Sequence, residues 1–474
     1  MELDDAACYR AMALRDARFD GRFFTAVKTT GVYCRPICPA RTPLQANCRF
    51  FQSAGAAQAA GFRPCLRCRP EVAPGTAGWR GTQAAVSRAL SLIAEGALDE
   101  GSVEGLAERL GLGERQLRRL FAEHVGASPH QISSARRVLF AKALLHETSL
   151  PISQVALASG FRSLRRFNEV LRRELGRPPS ELRRHKPESE AALTLRMPFV
   201  APYDWASISR FLGTRAVAGV EVLDERGYRR SVLLEGAVGT VEVSPARDGA
   251  HLLATVRLSR IEALGPAVAR LRRLFDVDAE AAAIGRQLSS DPLLAKLVAA
   301  RPGLRVPGAW EPFEIAVRAI LGQQVSVAAA RTLAGRLVAE YGQPLPAPLE
   351  PAVSRLFPTP QSMANADLTK IGLPGARARS LSALAAAVSA DPDVLSSADR
   401  LAAAKLPGIG PWTAAYVAMR ALREPDAFPA SDLVLRKVLA AGGPLPSAAE
   451  VEARSEAWRP YRAYAALHLW SSEA

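Results

Sequence analysis

The hydrophobic positions change period along the chain, and the changes mark out its parts. Between residues 83 and 185 apolar residues recur at helical spacing. Leu106, Ala107 and Leu110 fall on one face, Leu117, Leu120 and Phe121 on another, and Gly111-Leu112-Gly113 lies between. Ser102 to Phe121 therefore predicts helix, turn, helix. Ile152 to Leu175 repeats the plan, with Ile152, Val155 and Ala156, a turn at Gly160-Phe161, then Phe167, Val170 and Leu171. The stretch Arg119–Pro129 returns as Glu169–Pro179, with Gly126 and Gly176 at matching places. From about 192 to 275 the pattern becomes short strand-like runs, Val217–Leu223, Ser231–Leu234, Thr240–Val243 and Leu252–Leu258. Glu225-Arg226-Gly227 and Arg247-Asp248-Gly249 supply turns. From about 276 the chain is rich in Ala and Leu, with helical period broken by Pro/Gly loops. Residues 1–76 show neither period and are rich in Cys and Arg. Pro70–Gly81 and the polar stretch 186–195 read as linkers. Four parts follow: 1–76, 83–185, 192–275 and 276–474.

Composition narrows what these parts do. At 474 residues and 49% hydrophobic, the chain has material for several cores, which excludes disorder throughout. No run of about 20 apolar residues occurs, so no membrane span is expected. The N-terminus, Met1-Glu2-Leu3-Asp4-Asp5, lacks the pattern of a secretory signal, and a cytoplasmic protein is expected. The net charge is +15. Residues 1–190 hold 29 Lys+Arg against 19 Asp+Glu, so most of the excess lies in the first half. Such a balance points to nucleic acid; a high-GC composition that prefers Arg is the bland alternative.

All six cysteines precede residue 69: Cys8, Cys34, Cys38, Cys48, Cys65 and Cys68. Cys34 and Cys38 form one close pair and Cys65 and Cys68 another, 26 residues apart. Two close pairs are an ordinary way to close a tetrahedral zinc site. Spacing alone favours a structural zinc. Cys8 and Cys48 fall outside the pairs and read as small buried residues. Thr30-Gly-Val-Tyr-Cys34-Arg-Pro-Ile-Cys38-Pro-Ala-Arg and Gly61-Phe-Arg-Pro-Cys65-Leu-Arg-Cys68-Arg-Pro, preceded by Ala17-Arg-Phe-Asp-Gly-Arg-Phe-Phe-Thr, closely resemble the zinc module of the bacterial Ada family. The resemblance implies that Cys34 also takes a methyl group from a DNA phosphotriester, irreversibly. Zinc holds thiols as nucleophilic thiolates at neutral pH. Methylation of one changes the formal charge of the centre from −2 to −1, which should lower repulsion from DNA.

Arg115, Arg118 and Arg119 share one face of the second helix of the first pair; Arg162, Arg165 and Arg166 match them in the second. A solvated face explains one such helix; two with the same turn logic favour DNA binding, in major grooves about 34 Å apart. The arrangement resembles AraC-type regulators.

Leu406-Pro-Gly408-Ile-Gly410-Pro-Trp412 is a Gly-rich turn opening a helix, suited to a DNA phosphate. Asp432, in Phe428-Pro-Ala-Ser-Asp432-Leu-Val-Leu, precedes another apolar helical period; as a bare pattern it is equally a helix N-cap. These stretches, with Arg301–Gly308, Ala319–Val327 and Tyr464–Trp470, resemble the helix-hairpin-helix glycosylases of the 3-methyladenine DNA glycosylase II family over about 192–474. The resemblance makes Asp432 the catalytic carboxylate and Trp412, Tyr416 and Trp470 the pocket for a flipped base, where aromatic faces attract cationic alkylpurines. Core packing is the plain reading of any one of these rings. Gln324 stands where the family has a leucine wedge, so the flipping device departs from the pattern. Relatives that also cut the strand carry Lys where Trp412 stands, so a monofunctional enzyme is implied. No Cys follows Cys68, so no iron–sulfur cluster is expected.

The expected architecture is a small zinc-bound α/β module (1–76), an all-α paired helix-turn-helix module (83–185), a small α+β domain (192–275) and a mostly α helix-hairpin-helix glycosylase domain (276–474). One zinc held by Cys34, Cys38, Cys65 and Cys68 is the expected cofactor. Double-stranded DNA is the expected partner, contacted by Gly408, Gly410, Gln324, Arg115, Arg118, Arg162 and Arg165. RNA polymerase is a further partner, and the protein is expected to be a monomer. The expectation is a DNA alkylation repair and response protein. The rivals are a regulator with an inactive glycosylase domain and a repair enzyme whose front half only delivers it to DNA.

Overall fold

The computed structural model describes residues 4–16, 19–20, 23–65, 67–68, 70, 83–184, 192–249, 251–346 and 350–472. They form two compact units: Met1–Val200 with Ala246–Ala269 and Val277–Ala279, and Ala201–Pro245 with Arg270–Asp276 and Glu280–Ala474. The 192–275 segment is thus shared between them. Of the expected linkers, Pro70–Gly81 lies outside the described residues beyond Pro70, and 186–195 does so as far as 191. From Leu193 the second becomes strand, because Leu193, Leu195 and Met197 alternate onto a buried face.

In the first unit, helix α1 (Asp5–Ala13) is capped by the Asp4 carboxylate. A four-stranded sheet follows, built from β1 (Phe24–Val27), β2 (Val32–Cys34), β3 (Cys48–Phe51) and β4 (Arg63–Pro64) in the order β3-β1-β2-β4. β1 runs antiparallel to β2 and β3, and β4 runs parallel to β2. Helix α2 (Ala54–Ala59) lies between β3 and β4 in sequence. Cys8 and Cys48 are buried with Met12 and Phe23, as small apolar residues would be. Burial, helped by Asp5 and Asp4, lifts the Cys8 thiol to about 11, which leaves it unreactive.

Helices α3 (Gln83–Ala94), α4 (Val103–Arg109), α5 (Glu114–His124), α6 (Pro129–Glu147), α7 (Ile152–Ala158), α8 (Leu164–Leu175) and α9 (Pro179–Leu182) complete the helical part. The two helix-turn-helix pairs, α4–α5 and α7–α8, fall where the apolar period places them. Leu106, Leu117, Leu120 and Phe121 are buried in the first, and Val155, Phe167, Val170 and Leu171 in the second. The glycine turns have a chain reason, since Gly111 sits at φ +69° and Gly160 at φ +79°. A Cβ at Gly160 would also collide with the Asp99 carboxylate. β5 (Leu193–Pro198) pairs antiparallel with the strand His251–Leu258.

The second unit opens with α10 (Trp205–Thr214), capped by Asp204; the strand-like reading of this segment did not include it. A meander of β6 (Glu221–Asp224), β7 (Gly227–Leu234) and β8 (Ala237–Pro245) follows. The expected strand Val217–Leu223 begins only at Glu221, because Gly219 at φ +86° turns the chain and sends Val217 and Val220 into the core. The helices that carry the site are α11 (Pro312–Leu321), α12 (Val327–Tyr341), α13 (Gly375–Ala390), α14 (Ala398–Ala403), α15 (Pro411–Arg420), α16 (Leu433–Ala440) and α17 (Arg462–Ser472). Ile315, Ile320, Leu337, Leu381 and Val417 meet in their shared core.

His468, buried on α17, has its pKa brought down to about 4 by burial and then by the Arg301 cation. Between that value and about 6.5 the unfolded chain binds the proton and the folded chain does not, so stability falls as pH falls through this window. His468→Gln should flatten the slope of melting temperature against pH between 4 and 6.5, worth up to about 3 kcal/mol. An unchanged slope in the variant would remove His468 from the acid response.

Candidate functional site

Parallel pairing of β2 with β4 sets Tyr33 opposite Pro64, and the Cys65 amide donates to the Tyr33 carbonyl at 2.9 Å. Cys34 and Cys65, at the ends of these strands, are thereby brought side by side. The turn Cys34–Cys38, closed by Cys38 N–H donating to the Arg35 carbonyl, adds the third sulfur, and the turn to Cys68 adds the fourth. All four sulfurs lie within 4.8 Å of one another. A tetrahedral zinc at about 2.3 Å from each sulfur would set them about 3.8 Å apart, so the donor set fits this ion. Backbone amides support the cluster: Arg35 N–H donates to Cys68 Sγ at 3.3 Å and Arg67 N–H to Cys65 Sγ at 3.4 Å. Arg35 is itself buried. Its guanidinium bonds the Cys68 carbonyl and pairs with Asp20. As whole residues Cys65 and Cys68 are buried, while Cys34 and Cys38 are partly exposed; within the cluster itself only Cys34 is graded as less than buried.

In the helical part, Arg115, Arg118 and Arg119 on α5 are exposed, as are Arg162, Arg165 and Arg166. Arg162 lies two residues before α8, in the turn rather than on the helix. Arg118 pairs with Glu114, Arg162 with Glu100 and Arg166 with Glu169. Exposed pairs of this kind are worth about 0–1 kcal/mol. α6 ties the two pairs of helices together: the Arg136 guanidinium grips both oxygens of Asp99 at 2.5 Å, and Arg137 lies 5.3 Å from the Phe161 ring centroid.

In the second unit the Gly-rich turn joins α14 to α15. Gly408 sits at φ +79°, and a Cβ there would strike Ser380 Oγ at 2.7 Å. Gly410 caps α15 in open space, and both glycines are exposed. The Asp432 carboxylate is held by four donors: Trp412 Nε1 at 2.8 Å, Trp470 Nε1 at 3.0 Å, and the amides of Val434 and Leu435 at 3.0 Å each. The N-cap and active-site readings of this residue are therefore the same geometry. Trp412 and Tyr416, one turn apart on α15, stack at 5.1 Å with planes 9° apart, and Trp470 lies 6.3 Å from Tyr416. These rings and Asp432 line one cavity of about 450 Å³, within the size range of small-ligand pockets. Among the described residues no lysine lines it.

Sequence reasoning missed part of the lining. Phe211, Arg215, Arg318 and Arg420 also line the cavity, drawn from three separate helices. Arg420 Nη1 donates to Tyr416 Oη at 2.6 Å. Burial by itself would raise the Tyr416 phenol, but Arg420, Arg215 and Arg318 outweigh it and the pKa falls below its ordinary value. No local pattern flags these arginines. Gln324 is exposed at φ +57° and does not line the cavity, whereas Val325 does. Its neighbour Gln323 makes the structural link, donating from Nε2 to the Gly408 carbonyl at 2.7 Å and to Thr413 Oγ1 at 3.0 Å.

Family models match four segments: the metal binding domain of Ada at residues 7–71, a helix-turn-helix domain at 106–185, the AlkA N-terminal domain at 194–311, and the HhH-GPD superfamily of base excision DNA repair proteins at 317–462. Over its whole length the chain is 42% identical to a Mycobacterium tuberculosis protein named "Probable bifunctional transcriptional activator/DNA repair enzyme AlkA", of which it covers 97%. Over 57% of its length it is 37% identical to Escherichia coli DNA-3-methyladenine glycosylase 2, covering 95% of that protein. In fold, 58% of the chain is similar to a 3-methyladenine DNA glycosylase from Archaeoglobus fulgidus, with a TM-score of 0.52 at 21% identity and 96% of that chain covered.

Proposed function

This chain belongs to the family of bifunctional transcriptional activator/DNA repair enzymes that join an Ada-type metal-binding half to an AlkA-type glycosylase, and from that premise we propose that it excises alkylated purines of the 3-methyladenine kind through Asp432 and senses DNA methylation through Cys34. The observation that carries the enzymatic reading is the Asp432 carboxylate, fixed by two indole N–H groups on the rim of an aromatic cavity. Charge-assisted bonds of this type are worth about 1.5–3 kcal/mol each, so the carboxylate is pre-oriented before substrate arrives. A flipped alkylpurine would lie among Trp412, Tyr416 and Trp470. The bond from base nitrogen to C1′ breaks with its electron pair leaving on the base, and the Asp432 charge stabilises the oxocarbenium-like sugar until water adds at C1′. No lysine lines the cavity among the described residues, and the reading is of a monofunctional enzyme whose product is an abasic site. Release of free 3-methyladenine from methylated duplex by the full chain tests this; release of none sinks it.

In the N-terminal half, zinc would hold the four sulfurs as thiolates. Cys34 would attack the methyl carbon of a phosphotriester: the S–C bond forms, the C–O bond breaks, and a phosphodiester anion leaves. One zinc is the expected metal content. The exposed arginines of the two helix pairs would hold promoter DNA. The same reading makes the protein a cytoplasmic monomer that works on double-stranded DNA and meets RNA polymerase at promoters. Among the described residues no helix is long and apolar enough to cross a membrane. Arg115→Ala and Arg165→Ala should each weaken binding to a duplex selected from a random pool. A phosphate contact lowers the salt slope by about 1, and a base contact costs about 1–3 kcal/mol with relaxed specificity. Anisotropy titrations at several salt concentrations distinguish the two, and unchanged affinity and slope would remove these residues from the interface.

A further inference from the structure

The lining of the cavity in the second unit is one-sided in its hydrogen bonding. Apart from two indoles, its polar side chains are the donors Arg215, Arg318, Arg331, Arg420 and Tyr416, and, among the described residues, the single carboxylate Asp432. The Asp432 oxygens already accept from both indoles and from two backbone amides. Arg318 is paired with Glu221 at 3.0 Å and Glu314 at 2.9 Å. Arg420 is buried and bonds only neutral acceptors: the Pro307 carbonyl, the Gly308 carbonyl at 3.0 Å and Tyr416 Oη at 2.6 Å. Arg215 likewise gives its Nη1 to the Phe211 carbonyl at 3.3 Å and to Thr214 Oγ1 at 3.1 Å.

Tyr416 Oη accepts from Arg420, and among the described residues its own O–H meets no acceptor. Arg420, Arg215 and Arg318 all favour the charged form of this phenol, which makes the O–H a stronger donor. A donor on a cavity wall without a partner is satisfied when a ligand supplies an acceptor. Purines differ in what they supply. A 6-oxo purine offers O6 and N7, both acceptors, whereas a 6-amino purine offers N7 and an amino donor. That amino group finds no side-chain acceptor in this lining other than the engaged Asp432.

We propose that Tyr416, backed by Arg420 and Arg215, is a specificity-determining residue that reads the 6-position of the flipped base, donating to a 6-oxo group and disfavouring a 6-amino group. The inference rests on the glycosylase reading of the cavity and adds a preference within it: the hydroxyl shifts excision toward 3-methylguanine and away from 3-methyladenine. Charge and stacking do not supply this preference, since both bases are cationic when methylated at N3 and both present a purine face to the rings.

The test uses the full chain and one methylated duplex that carries both lesions, so the two compete in a single tube. Tyr416→Phe keeps the ring and removes the hydroxyl. The ratio of 3-methylguanine to 3-methyladenine released should fall on the order of tenfold in the variant, roughly the worth of one hydrogen bond. Structural damage lowers both yields and leaves the ratio alone, so an unchanged ratio overturns the inference. Free bases give a second measurement on the wild type alone. Hypoxanthine and adenine differ at the 6-position, and tryptophan fluorescence reports binding beside Trp412 and Trp470, which line the cavity. Hypoxanthine should bind on the order of tenfold more tightly. Equal binding, tighter binding of adenine, or binding of neither overturns the inference, and this titration decides if the variant fails to fold. A wild type that releases neither methylated base defeats the glycosylase reading, and the free-base titration still decides the 6-position.

Discussion

Asp432→Asn should lower the release of 3-methyladenine by about a hundredfold to a thousandfold, the usual cost of removing one pre-oriented electrostatic group from an active site. The substitution separates the two roles that the geometry unites. Asparagine caps a helix as well as aspartate does, so its side-chain carbonyl can still accept from the amides of Val434 and Leu435. Its amide nitrogen must face one of the two indole donors that now bind the carboxylate. That mismatch costs on the order of 1 kcal/mol in stability, which a melting curve would register without loss of the fold. The expected result is therefore a nearly intact protein that no longer releases base. Retained activity would show that Asp432 serves only as the cap. Absence of activity in the wild type would move the weight to a regulator with an inactive glycosylase domain, and Gln324 would be the first suspect.

The second large effect is expected at Cys34. Exposure of the wild type to DNA carrying methyl phosphotriesters should add one methyl group, located on Cys34 by peptide mass mapping. Cys34→Ala should abolish the uptake. Cys65 and Cys68 are buried residues, and Cys34 is the cluster member graded as least buried. A methyl on Cys38, or on none of the four, would defeat the assignment to Cys34. Zinc removal should abolish uptake together with the fold of the module, because structural zinc sites contribute about 10–16 kcal/mol of folding free energy. Mass mapping of the zinc-loaded wild type is the cleaner measurement, since Cys34→Ala also removes a ligand.

The parts legible in the sequence were those carried by local pattern. The two helix-turn-helix pairs lie where Leu106, Leu117, Phe167 and Leu171 place them, because burying one face of a helix imposes its own period. The four clustered cysteines were legible because short spacings hold sulfurs together whatever the rest of the chain does. The motifs around Trp412 and Asp432 were singled out by their resemblance to a known family, since the bare pattern read equally as a helix N-cap and core rings. The false extension of a strand back to Val217 shows the limit: an apolar run serves a strand or a core turn equally, and Gly219 decided between them.

The sequence by itself determined the periods, the turns and the identity of the donors. The tertiary structure decided which distant groups meet. Parallel pairing of β2 with β4 joins two cysteine pairs that are 26 residues apart in sequence. Helix packing gathers Arg215, Arg318 and Arg420 around the Tyr416 phenol. The fold sets Lys142 against a carbonyl 77 residues away. Each is a long-range contact; the cysteine spacing announced the first, while the neighbours of the arginines and of Lys142 carry no mark of the other two. Its energy depends on the charge and burial that the partner supplies, and those exist only once the chain has packed.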